Sequence, residues 1–145
     1  MTIIIVLILE VIFIFLAGIH VYWAFGGKWA STAVIPTKED KDDVMMPGPI
    51  GTFVVAIGLL GFGGIIWLNT MAMQLKSVSW LYPVYQYGLW IIAGIFMLRA
   101  IGEFNYVGFF KKYKHTKFGK NDTLYYTPLC VIISVLTIIL ELSKG

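Results

Sequence analysis

A glutamate inside an uninterrupted apolar run is the first residue of this 145-residue chain that invites a chemical reading. Glu10 stands among Ile8, Leu9, Val11 and Ile12. If that run crosses a membrane, an acid near the midplane costs at least about 2.5–3.5 kcal/mol unless it is paired or hydrated. Two chemistries meet that cost. Glu10 can bind a proton or a cation, or it can be a protonated carboxyl that donates one hydrogen bond within the core. Gln86, Tyr87, Ser134 and Thr137 are the polar partners available at a similar depth.

A denser group collects where three apolar runs end. His20 and Tyr22 close the first run, Arg99 and Glu103 the third, and Tyr126 opens the fourth beside Asp122 and Tyr125. Arg99 and Glu103 are four apart and would share a helix face. Arg99 is the sole arginine among 11 basic residues. Lysine serves every other positive position, so this one calls for the planar five-donor fork that grips a carboxylate or phosphate with two hydrogen bonds. In a ligand site Arg99 holds the anion, His20 acts as acid–base group or donor, and Tyr22 and Tyr126 orient it. The structural alternative is an Arg99–Glu103 salt bridge that fixes the helix end, with His20 donating to a backbone carbonyl. An ion path is the third reading, and all three stay open.

The elements that must position these groups follow from length and hydropathy. The runs about 2–25, 50–71, 80–101 and 124–142 each cover the ~20 residues that a helix needs to cross a hydrocarbon core. Helices are required because backbone groups in lipid must pair within their own segment. Pro47, Gly48 and Pro49 break the chain before the second run, while Pro83 and Pro128 fall in the opening turns of the third and fourth. Proline is tolerated there because the first amide protons of a helix have no partner. The expected fold is an all-α integral membrane four-helix bundle, up-and-down, forming one domain over 1–145. The first run lacks the basic leading segment and small-residue cleavage site of a signal peptide and counts as a permanent span.

Composition supports the same solvent. Hydrophobic residues make up 59% of the chain and charged residues 13%, with a mean hydropathy of +0.82. A chain this short always shows a large surface, so the apolar excess must face lipid. One cysteine, Cys130, and two histidines exclude an intramolecular disulfide and argue against the usual multi-ligand metal sites, so no metal is expected. A haem held by His20 and His115 is the one cofactor arrangement on offer. Nothing else shapes a porphyrin site, and no cofactor is expected.

Orientation follows from the lysines. Lys28, Lys38 and Lys41 lie in the loop 26–49, and Lys111, Lys112, Lys114, Lys117 and Lys120 in the loop 102–123. Only Lys76 and Lys144 lie on the other side. This asymmetry places both long loops in the cytoplasm and both termini outside the cell membrane; the acidic cluster Glu39, Asp40, Asp42 and Asp43 counts little against it. Aromatics alternate with lysines from Phe104 to Phe118. Such a segment suits the headgroup plane, with Lys111, Lys112, Lys114 and Lys117 at lipid phosphates. Nucleic acid is the less suitable partner for a basic segment between two spans.

The second run carries Gly51, Ala56, Gly58, Gly61, Gly63 and Gly64. Small residues at this spacing let a neighbouring backbone come close. They serve either packing within the bundle or an interface with a second copy, a partner membrane protein or a ligand. No nucleotide-binding glycine loop, nucleophile elbow or His-Glu-x-x-His helix occurs.

Three longer motifs resemble a bacterial family of small four-span membrane proteins whose domain has no assigned function. They are Gly18-Ile19-His20-Val21-Tyr22-Trp23-Ala24-Phe25-Gly26-Gly27, the stretch from Leu98 to Lys111, and Asp122-Thr123-Leu124-Tyr125-Tyr126-Thr127-Pro128-Leu129-Cys130. The resemblance implies the four-span architecture, puts all three motifs on the cytoplasmic side, and implies no reaction.

Three functions compete. The first is a bundle that binds, and in an enzymatic form modifies, an anionic amphiphile or lipid headgroup in a polar cavity on the cytoplasmic side. The second is a non-enzymatic accessory or membrane-organising subunit that docks through the glycines of the second run. The third is a small proton-coupled transporter using Glu10. Small multidrug exporters are similar in having four spans and a glutamate in the first, but their antiparallel dimers need weak charge bias, which this chain lacks.

Overall fold

The computed structural model describes residues 1–27, 48–71, 78–102, 108, 110–111 and 120–144. Helix α1 covers Thr2–Ala24, α2 Pro49–Met71, α3 Tyr82–Ile101 and α4 Thr127–Leu142, the last preceded by a π-helical turn over Asp122–Tyr126. No strand occurs among the described residues. All four helical segments are long and apolar enough to cross a membrane.

The helix ends show why the sequence folds in these units. Phe25 caps α1, and Gly26 then adopts φ 89°. Its N–H bonds to Trp23 O at 3.0 Å and the Gly27 N–H to Tyr22 O at 3.0 Å. This double reversal is the Schellman arrangement, and it needs a residue that enters the left-handed region without strain. Pro49 opens α2, with the Thr52 N–H bonding to Gly48 O at 3.1 Å. Pro83 lies in the first turn of α3, which begins two residues later than Trp80.

The fourth span starts earlier than the apolar run suggests, and it starts irregularly. Pro128 has no N–H to give the carbonyl four residues back, Leu124 O, and its ring would collide with that carbonyl. Widening the preceding turn to π geometry, with bonds to the fifth residue, relieves both problems.

Successive helices run antiparallel. Packing is most extensive between α1 and α2 and between α3 and α4, lighter between α2 and α3, and lighter still between α1 and α4. The result is the up-and-down four-helix bundle, and the protein is a multi-pass membrane protein. On α2 the buried positions are Thr52, Ala56, Leu59, Gly63, Ile66 and Asn69, a near-heptad seam. The opposite side exposes Val54, Ile57, Leu60 and Leu68, which only lipid can cover. Lipid tails are as apolar as leucine, so this interior is held by close packing and interhelical hydrogen bonds. Phe13, Phe62 and Phe96 form its centre, with ring centroids 5.6–6.1 Å apart in tilted and edge-on contacts. One interhelical bond crosses beside them: the buried Ser134 hydroxyl donates to Ala93 O at 2.9 Å.

Candidate functional site

The polar residues of the spans fall at three levels. The end of the bundle where α1 and α3 finish and α2 and α4 begin, named the inner end after its lysine-rich connections and the opposite one the outer end, holds His20, Arg99 and Tyr126. His20 follows the buried Ala17 by three residues, and Arg99 follows the buried Phe96 by three, so both lie on the inward sides of their helices. The His20 Nδ1–H donates to Leu16 O at 2.7 Å, and the ring meets Trp23 edge-on at 5.3 Å. Arg99 is half-buried and, like Tyr22 and Tyr126, takes part in polar or ring contacts.

Two members of the expected cluster do not fit as the spacing suggests. Tyr22 is two residues from His20 and therefore on the opposite face of α1. It is 47% exposed, and a side chain at Gly27 would overlap its ring. It packs over the reversal at the end of α1 and does not face the interior. The register that would stack Glu103 below Arg99 is broken, because α3 ends at Ile101 and Gly102 leaves the helix with φ 87° and ψ 179°. Glu103 itself lies outside the described residues.

Lys111 corrects a further expectation. It is not spread on the headgroup plane but buried, with 2% of its surface exposed. Its ammonium donates to Gly108 O at 3.0 Å and to the Thr123 hydroxyl. The cause is Gly108, which adopts φ 89° and presses on the end of α3. A side chain there would run into the Ile101 carbonyl and the Gly102 Cα. The loop folds back onto α3 and lays Lys111 between that helix end and the π turn. Lys112, Lys114, Lys117 and His115 lie outside the described residues.

The middle level holds Glu10. Its Oε2 rests against Gly63 of α2, so close that a Cβ at that glycine would lie 2.9 Å away. Its Oε1 is shielded and has no hydrogen-bond partner among the described residues. None of the expected partners reaches it. The Ser134 hydroxyl goes to Ala93 O, the buried Thr137 hydroxyl donates to Ile133 O at 2.7 Å, and Gln86 and Tyr87 are exposed on α3. Of the glycines on α2, Gly63 serves packing within the bundle. Gly58, Gly61 and Gly64 face outward with open space where a side chain would stand.

The outer level was not foreseen. Lys144, beyond the end of α4, donates to Asn69 Oδ1 at 2.7 Å and to Tyr85 O at 2.6 Å, and it pairs with Glu141 at 2.6 Å. Its Nζ also stands 4.4 Å from the centre of the Tyr85 ring. Two hydrogen bonds and one close carboxylate thus surround the ammonium. Asn69 in turn donates to Ile65 O at 2.8 Å and Val84 O at 3.4 Å. One side chain thus ties α2, α3 and α4 together. The only hint in the sequence is the Glu141–Lys144 spacing at a helix end.

Two apolar grooves face outward. One of about 550 Å³ runs along α1 past Ile14, Phe15, Gly18, Ile19 and Tyr22; the other, of about 250 Å³, lies between α2 and α3 over Gly88. Among the described residues no group of three His, Cys, Asp or Glu side chains gathers to hold a metal ion.

No curated protein and no solved structure matches the chain. A family model does, over residues 13–137. The chain belongs to the family described as "Protein of unknown function (DUF3995)".

Proposed function

We propose that this membrane protein lies in the cell membrane with both termini outside, and that the inner end of its bundle binds an anionic amphiphile or lipid headgroup. The observation that carries the reading is the burial of Lys111 at the end that also holds Arg99. A buried ammonium is costly unless acceptors surround it. Here a loop residue is carried inward, and its ammonium donates to the Gly108 carbonyl and the Thr123 hydroxyl among its contacts. With Arg99 it sets a point charge and a planar fork at the same end of the bundle, a pairing that suits a phosphate or carboxylate.

His20 adds a third group. Its Nδ1–H is spent on Leu16 O, so Nε2 is the ring atom that can address a ligand. The lysine asymmetry places this end at the cytoplasmic leaflet, where anionic headgroups are concentrated. Membrane lipids are the natural source of such a group.

Delipidated protein titrated with phosphatidylglycerol or phosphatidylcholine, and weighed by native mass spectrometry, tests the reading. Preferential uptake of the anionic lipid, lost in Arg99→Lys, is expected. Equal uptake of both lipids by the unaltered protein would contradict it.

A further inference from the structure

We propose that Glu10 is a proton-binding site of the membrane interior, with its carboxyl seated in the α1–α2 seam where Gly63 makes room for it.

The seat is built by the absence of a side chain. Glu10 Oε2 stands 2.9 Å from the point where any other residue at 63 would place its Cβ, closer than such contacts come. Gly63 is a buried member of the α2 seam, so Oε2 rests against the α1–α2 contact, while the Glu10 side chain as a whole is half-buried. Its other oxygen, Oε1, is shielded from solvent without a protein hydrogen bond. A buried polar atom in that condition calls for an occupant.

The surroundings decide which occupant. α2 carries no titratable side chain at all. α4 offers Ser134 and Thr137 at this depth, and both hydroxyls donate to backbone carbonyls. The nearest acid and base of that helix end, Glu141 and Lys144, are paired with each other at the outer end. The cations of the inner end are remote: His20 is ten residues along the same helix, roughly 15 Å at the helical rise. The rings of Phe13, Phe62 and Phe96 fill the bundle a turn inward from Glu10. Among the described residues no cation reaches the carboxylate, and one carboxyl without other oxygen ligands is too poor a shell for a metal ion. A proton is the one ligand that removes the charge and needs no further protein group.

This site is separate from the inner-end anion site, and Glu10 precedes the residues matched by the family model. It is a property of this chain, and it stands or falls without the reading above.

A hydrophobic carbodiimide tests it on the full chain in lipid vesicles at neutral pH. The reagent adds to a carboxylic acid: the acid proton moves to one carbodiimide nitrogen, the carboxyl oxygen bonds to the central carbon, and acyl transfer to nitrogen leaves a stable N-acylurea with no leaving group. Dicyclohexylcarbodiimide is expected to add its full mass to the peptide containing Glu10, and Glu10→Gln to lose that adduct. Glu141, bound to Lys144, is the internal control and stays unmodified. A water-soluble carbodiimide is expected to leave Glu10 unmodified. No adduct at Glu10, or equal labelling by the water-soluble reagent, would overturn the proposal. Because labelling is read on the unaltered chain, a folding defect in Glu10→Gln does not blunt the test.

Discussion

The Glu10 carboxyl of α1 presses on Gly63 of α2: a Cβ at position 63 would stand 2.9 Å from Oε2. The contact joins an acid of α1 to a residue of α2 that owes its fitness to having no side chain. It also makes a graded prediction, because the intruding atom is the far end of a flexible side chain.

Gly63→Ala should be tolerated, changing stability by no more than about 1 kcal/mol, since the carboxyl can swing aside and alanine favours the helix. Gly63→Leu overpacks the seam and should destabilise by about 1–3 kcal/mol. Adding Glu10→Ala should recover part of that loss, because the two side chains then no longer compete. Thermal unfolding of the unaltered protein, Gly63→Leu, Glu10→Ala and the double variant in one detergent measures the coupling; strict additivity would mean that the residues do not touch.

Lys144 is the clasp of the outer end. Lys144→Met should cost about 1.5–3 kcal/mol, the range for hydrogen bonds to a charged group, and leaves Asn69 Oδ1 and Glu141 without their donor. Glu141→Gln should cost less, because Asn69 and Tyr85 O still hold the ammonium. Unfolding midpoints of the two variants settle the order. A loss from Glu141→Gln as large as from Lys144→Met would show the ion pair, and not the clasp, to be the stabilising feature.

Lys111 and Lys120 belong to the same lysine-rich loop and its margin, yet one is buried and the other exposed. With the buried Cys130 replaced by alanine, a cysteine at 111 should resist a membrane-impermeant maleimide and a cysteine at 120 should react. Thr123→Val and Lys111→Met should each destabilise, by about 1–3 kcal/mol. Together they should cost less than the sum, because each removes a partner of the same bond.

Much of the bundle is legible in the chain because lipid imposes few solutions. Apolar runs of spanning length, with Pro49, Pro83 and Pro128 near their starts, leave little but four helices. Local chemistry at the ends was harder to foresee. Gly102 is a helix stop that takes Glu103 off the α3 register, and a glycine directly after a run does carry that signal. Tyr22 lies two residues from His20, so helical geometry alone sends it to the other face. Lys111 could not be placed by its type, because its burial depends on Gly108 folding onto Ile101 over a gap of several residues. The isolation of Glu10 was equally hidden. Serine and threonine in a helix can satisfy themselves on backbone carbonyls, and here Ser134 and Thr137 both do.

An anionic ligand at the inner end would be seen by weighing the protein as it leaves its own membrane. Gentle extraction followed by native mass spectrometry should show a discrete mass above that of the chain, and the same preparation of Arg99→Lys should lack it. A bare chain, or an extra mass that survives in Arg99→Lys, would contradict the account and leave the cations of the inner end as structural members of the bundle.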